Sequence, residues 1–228
     1  MCARYSLTSP PEAVRAFFHA PGVDDFPPRY NIAPSQPVLI ARNDIKGVPE
    51  LQLVRWGLIP SWKRDPSTLR SPLINARAET VAEKPAFRGA LRHRRCLIPT
   101  TGFYEWSGKP KARQPHLIRM KDQELFALAG LWEDWLGADG SEIETMAILT
   151  TASNADMAGL HDRMPVIVES QDFERWLDCR PGTAEGILDL LKPFAPGRLT
   201  ITALSPRLND PRAEGPALHE PAFSGLLL

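Results

Sequence analysis

Short runs of apolar and β-branched residues, broken by Gly, Pro and polar turns, dominate the pattern along this chain. Residues 38–41 and 51–56 read as strands, and further strands are predicted in quick succession at 96–98, 102–106, 116–120, 125–131 and 143–151, with a last one near 199–204. Gly108, Gly137 and Gly140 fall in the intervening turns. Helical periodicity is confined to short segments. Val14, Phe17 and Phe18 follow Ser9-Pro10-Pro11-Glu12, which predicts a helix with a Ser N-cap and a Pro in its first turn, ending near Pro21-Gly22. A second helix is predicted over 83–93, with Phe87, Ala90 and Leu91 on one side and a basic end at 92–95. A short helix begins at Ser153-Asn154, and later ones are predicted at 171–177 and 183–191. Many short strands with few helices between them predict an α+β fold: mostly antiparallel β-sheets curled into a barrel-like core with a few peripheral helices. No repeat, low-complexity tract or linker divides residues 1–228, so the chain reads as a single domain, with the tail after about residue 209 left unassigned.

At 228 residues the chain is long enough for a substantial core, and 43% hydrophobic with 24% charged residues is ordinary for a globular protein, so disorder is not expected. The 27 basic and 27 acidic residues cancel, which excludes a global field drawing the protein to nucleic acid or membrane; any polyanion site must be a local patch. The basic run at 92–95 and the segment 109–113 either extend such a patch or are solvated surface. The first residues lack a basic segment followed by an apolar core, and no apolar run approaches the ~20 residues of a membrane-spanning helix. The expectation is an intracellular monomer, in the cytoplasm or nucleoid if bacterial, with no membrane partner. Three cysteines lie far apart without a C-x-x-C pair, and five histidines are scattered, so reduced thiols, no metal and no cofactor are expected.

Candidate chemistry begins at Cys2. Removal of Met1, usual before a residue as small as cysteine, leaves an amine of pKa about 7.7–8.0 beside a thiol of about 8.5. This 1,2-aminothiol condenses with an aldehyde to a Schiff base and closes onto sulfur as a thiazolidine. By itself, a cysteine in a frayed terminus is more simply incidental. In an extended backbone Asn75 and Arg77 point the same way and present an amide beside a guanidinium, a combination suited to a phosphate or sugar oxygen. Glu105 is flanked by Phe103, Tyr104 and Trp106 and shares a strand face with Phe103, so partial desolvation would make it a general acid/base. His161, at a turn before Met164-Pro165, is a proton carrier near neutrality. Trp56 and Trp62 either cover a core edge or stack on a base.

Taken in order, M-C-A-R-Y, R-Y-N-I-A-P, W-G-L-I-P-S-W, I-N-A-R-A-E-T, R-C-L-I-P-T-T-G-F-Y-E-W, A-G-L-W-E, I-L-T-T-A-S-N and H-D-R-M-P resemble the SRAP family, originally named SOS-response-associated peptidases. The resemblance runs from Met1 to about Pro165, with a weaker tail to about Asn209. It implies a shield of abasic sites in single-stranded DNA, including single-strand/double-strand junctions, that acts by covalent DNA–protein cross-linking with weak lyase activity. By the same resemblance Cys2, Asn75, Glu105 and His161 carry the chemistry, Arg4, Arg77 and Arg163 contact phosphates, and Pro34, Trp62 and Trp106 lie near flanking bases. The family usually begins M-C-G-R-F; Ala3 and Tyr5 depart from that, and Ala3 narrows the backbone beside the nucleophile. Two other functions fit these residues: a thiol peptidase with Cys2 as nucleophile and His161 as base, Met1 removal being self-processing, and a non-catalytic single-strand binder stacking on Trp62 and Trp106.

Overall fold

Alternating burial along the strands organises the chain into two sheets sharing one large core. The structure, a computed structural model, describes residues 2–21, 25–109 and 113–222; Met1, Gly22 and residues 110–112 of the basic segment lie outside them. The elements are β1 (Tyr5–Leu7), α1 (Pro11–Phe18), β2 (Arg29–Ile32), β3 (Pro37–Asn43), β4 (Pro49–Trp56), β5 (Asn75–Arg77), α2 (Arg88–His93), β6 (Arg95–Thr100), β7 (Gly102–Ser107), β8 (Gln114–Met120), β9 (Phe126–Leu136), β10 (Glu142–Ala152), β11 (Arg163–Pro165), β12 (Ile167–Val168), α3 (Phe173–Leu177) and β13 (Leu199–Ala203), with 3-10 turns between some of them.

Strands β4, β3, β6, β9 and β10 pair in that order, and β10 returns to β4, closing a five-stranded barrel. The closing pair is parallel and short, Thr145 opposite Arg55 and Met146 opposite Trp56; the others are antiparallel. Gly130 in β9 shows how tight this closure is. A Cβ there would meet Ile98 Cδ1, Cys96 Sγ at 2.9 Å and the Ala147 carbonyl oxygen at 3.3 Å. Past Ile148, β10 leaves the barrel and is flanked by β5, which is parallel to it, and β11, which is antiparallel.

The second sheet, β13-β8-β7-β1-β2, is antiparallel throughout. Residues alternate between its faces: Phe103 and Ile118 join the barrel core, while Tyr104 and Leu117 pack on the other side against Leu204, Leu208 and Leu218. Residues 205–222 thus form a strap over the outer face. The α+β architecture with a barrel-like core and peripheral helices follows the sequence reading, and no helix among the described residues is long and apolar enough to cross a membrane.

Several local expectations are corrected. Pro10, not Ser9, caps α1, no side chain bonds the cap, and the helix stops at Phe18, where His19 turns left-handed. Only residues 88–93 of the segment 83–93 are helical, because Pro85 disfavours a helical residue before it and removes a backbone donor. The segment after Asn154 is a run of turns; the buried Asn154 amide accepts from Met157 N at 3.2 Å and donates to the Phe194 carbonyl at 3.0 Å, competing with a regular helix. Residues 185–190 form a 3-10 rather than an α-helix. Arg95 belongs to no surface patch. Its buried guanidinium donates to the carbonyls of Leu91 and Trp176, both at 2.7 Å, and to that of Asp178, gathering the negative C-terminal ends of α2 and α3 onto one cation.

Candidate functional site

Pairing of β1 with β7, Tyr5 opposite Phe103, continues through a Tyr104 N–H bond to the Arg4 carbonyl at 3.0 Å and carries the N-terminal residues along β7. From the other side β5 presents Asn75, whose Nδ2 donates to the Cys2 carbonyl at 2.9 Å. Because that carbonyl accepts, the amide orientation is fixed. Asn75 Oδ1 is then left buried and without a hydrogen-bond partner among the described residues. The Cys2 side chain is fully buried, with Sγ 3.7 Å from the Arg4 carbonyl. Burial, and then the negative charge of nearby Glu105, push the thiol well above its ordinary pKa. Glu105 is itself buried beside Phe103, as the strand alternation predicts. The structure therefore gathers Cys2, Asn75 and Glu105.

His161 enters from the turn ahead of β11. The backbone N–H of Arg163 donates to its Nδ1 at 2.9 Å, which places the proton of the neutral ring on Nε2. Asp162 also approaches Nδ1, at 3.0 Å, but its carboxylate is largely in water, so the backbone donor sets the tautomer and Asp162 helps only when the ring is protonated. Arg77 and Arg163 stand on opposite edges of β10, opposite Thr150 and Ala152 respectively. Arg77 is exposed. Arg163 is mostly buried and bound to Thr150 O at 2.7 Å and Oγ1 at 3.2 Å, while its outer edge forks onto Glu79 at 2.6 and 2.9 Å.

Arg4 is also engaged internally. Its guanidinium donates to Asn31 Oδ1 at 2.6 Å and to the Leu208 carbonyl at 3.2 Å, and lies 5.8 Å from the centre of the Trp106 ring. Trp106 in turn donates from Nε1 to Asn209 Oδ1 at 2.7 Å. Buried Asn31 completes the link, donating from Nδ2 to the carbonyls of Asp210 at 3.0 Å and Ala213 at 2.9 Å. The strap is latched further on by a directed chain. Arg119 donates to His219 Nδ1 at 2.6 Å, His219 Nε2–H donates to Tyr104 Oη at 2.6 Å, and Tyr104 donates to the Tyr30 carbonyl at 2.5 Å. Burial, then the positive charge of Arg119, lower the His219 pKa to about 4.

The two loop tryptophans divide. Trp56 is a core residue bonded to the Ile74 carbonyl at 2.9 Å, whereas Trp62 is 61% exposed. Pro34 is half-buried in the turn between β2 and β3. Asn31, Glu79 and the strap were not singled out from sequence. Asn31 sits inside the R-Y-N-I-A-P block, but nothing local marks it as a bridge. Among the described residues no cluster of three or more His, Cys, Asp or Glu is placed to hold a metal ion. A cleft of about 840 Å³ lined by Asn43, His93, Arg95, Trp132, Arg175 and Cys179 shares no residue with this site.

A closed five-stranded barrel beside a second antiparallel sheet, with the Cys2 backbone held by Asn75 of β5, defines a class of single-domain α+β proteins. The chain belongs to the SOS response associated peptidase (SRAP) family, whose profile matches residues 1–211. It is 38% identical over 227 residues to the abasic site processing protein YoqW of Bacillus subtilis, covering 96% of this chain and 99% of that one. It is 38% identical over 219 residues to YoaM of the same organism, likewise named an abasic site processing protein, covering 93% and 94% of the two chains. A crystal structure of a Bacteroides thetaiotaomicron protein superposes with a TM-score of 0.87 at 28% identity, over 97% of this chain and all of that one.

Proposed function

We propose that the protein processes abasic sites in DNA by covalent capture through the amine and thiol of Cys2, in the DNA damage response. The observation that carries this reading is Asn75. Its Nδ2 pins the Cys2 carbonyl, and its buried Oδ1, without a hydrogen-bond partner among the described residues, is an acceptor suited to an N–H of a free Cys2 amine or a hydroxyl of the sugar adduct. The relatives named abasic site processing proteins support the substrate class.

In this mechanism Met1 is removed and the unprotonated Cys2 amine attacks the open aldehyde of the abasic sugar, giving a carbinolamine. Glu105 protonates the departing hydroxyl, water leaves and an imine forms. The thiol then adds to the imine carbon. Its proton passes to Glu105 as the C–S bond forms, and the imine nitrogen, protonated, becomes the ring amine of a thiazolidine. A raised thiol pKa suits this order, because the sulfur enters as S–H beside a carboxylate that can take its proton. His161 exchanges protons with the opened sugar hydroxyl from Nε2. β-Elimination from the imine is the side path that gives weak lyase activity.

Arg4, Arg77 and Arg163 take backbone phosphates, and Pro34, Trp62 and Trp106 border the flanking bases of a single strand or junction. With no net charge to attract DNA, affinity comes from these few contacts and falls with salt. Intact mass after incubation with an abasic single-stranded oligonucleotide tests the proposal. The wild type gains the mass of one oligonucleotide less one water, stable to heat, whereas Cys2→Ser gives only a labile imine trapped by borohydride. A heat-stable adduct in Cys2→Ser, or none in wild type lacking Met1, overturns it.

A further inference from the structure

We propose that Glu79 occupies, in the DNA-free protein, the seat of a backbone phosphate on Arg163, and that the bound strand displaces it. The inference rests on the reading of this surface as a DNA site and adds to it a built-in competitor. Three observations carry it. First, Arg163 does not need Glu79 to hold its position: strand pairing with Ala152 and bonds to Thr150 O and Oγ1 already fix its inner side. Second, Glu79 covers the outer edge, Nη1 and Nη2, through both carboxylate oxygens, at 2.6 and 2.9 Å, the planar fork by which a guanidinium also grips a phosphate. Third, Glu79 lies on a surface turn and is half-exposed, so it can swing away, while the Arg163 side chain beneath it is mostly covered. Exposed Arg77, two residues earlier, also acts on the Glu79 carboxylate, so the acid stands between two arginines assigned to phosphates.

The consequence is an exchange. A phosphate arriving at Arg163 replaces one anion by another, and the released carboxylate remains nearby as a like charge. Affinity for undamaged strand is thereby held down, which suits a protein whose productive complex is covalent. Glu79→Gln keeps the side chain's shape and one carbonyl acceptor while removing the charge.

The test measures anisotropy of a labelled, undamaged oligothymidylate at fixed ionic strength, with wild type, Glu79→Gln, Glu79→Ala and each combined with Arg163→Ala. Both Glu79 variants are expected to bind about three- to tenfold more tightly, and Arg163→Ala to cost more affinity in their background than in wild type. Unchanged or weaker binding by folded Glu79→Gln and Glu79→Ala overturns the proposal and makes Glu79 a support for Arg163. The readout is separable from covalent capture. An adduct that forms normally while neither Glu79 variant gains affinity sinks only the Glu79 inference, and a gain in affinity without any adduct sinks only the capture mechanism.

Discussion

Asn31→Ala removes a side chain that bonds both to the N-terminal segment and to the strap. Its Oδ1 accepts from the Arg4 guanidinium at 2.6 Å, and its Nδ2 donates to two strap carbonyls at 2.9 and 3.0 Å. The bond to a charged donor is worth about 1.5–3 kcal/mol, and each neutral bond about 0.5–1.5 kcal/mol. The strap carbonyls belong to exposed Asp210 and half-buried Ala213, so they regain water and their loss falls at the low end. The expected cost is about 3 kcal/mol. With a urea slope of about 2–3 kcal/mol per molar, the unfolding midpoint drops by about 1–1.5 M. In an Arg4→Ala background the charged bond is already gone, so the same change costs only about 1 kcal/mol, a coupling of about 2 kcal/mol between the two residues. Capture of an abasic oligonucleotide should slow in both single variants, because Asn31→Ala frees the Arg4 guanidinium and Arg4→Ala removes it. A cost below about 1 kcal/mol, or strictly additive penalties in the double variant, refutes the bridge.

The His219 latch predicts a pH dependence of stability. In the unfolded chain the ring has its ordinary value of 6.5 and in the fold about 4, so below 6.5 the unfolded chain binds the extra proton; the latch contributes fully above that value and is lost as pH falls toward 4. The full gap converts to about 3 kcal/mol, of which partial exposure of the ring leaves about 1–2 kcal/mol. Urea unfolding at pH 7.5 and 4.5 should show wild type losing that much more than His219→Gln; equal losses exclude the latch. Gly130→Ala should destabilise by about 3 kcal/mol or more, because the Ala147 backbone oxygen and the Cys96 sulfur leave the new methyl no room. A thermal midpoint within a degree of wild type refutes that packing argument.

What was legible in sequence depended on how much of each element's environment is local. β4 and β7 to β10 were readable because five or more residues in a row carry the strand pattern, and β3 and β6 from shorter apolar runs at 38–41 and 96–98. β1, β2, β5 and β11 are three or four residues long, too short for a period of two to register, and they are strands because neighbouring edges need partners. Glu105 was readable as a desolvated carboxylate from the side chains sharing its face. The meeting of Cys2 with Asn75 was not, since no spacing rule spans 73 residues and only the family resemblance connected them. Asn31, the strap and Glu79 lie at the ends of side-chain bonds between distant segments, which leave no periodic trace.

The arginines show where sequence reasoning stops most clearly. A basic residue announces its charge in sequence, but not whether its hydrogen-bonding edge is already used. Arg95 looked like surface and is a buried clamp on two helix ends. Arg4 and Arg163 look like phosphate ligands, and each is already bonded within the DNA-free protein, one to Asn31 and Leu208, the other to Glu79 and Thr150. If the surface is the DNA site proposed above, binding there trades internal acceptors for phosphates. Each traded contact returns less free energy than a phosphate meeting a solvated guanidinium, while the release of counterions from the DNA still sets the salt slope. Affinity for intact strand is then lower than a count of arginines implies, and under the proposed capture mechanism retention of the damaged strand falls to the covalent bond at Cys2.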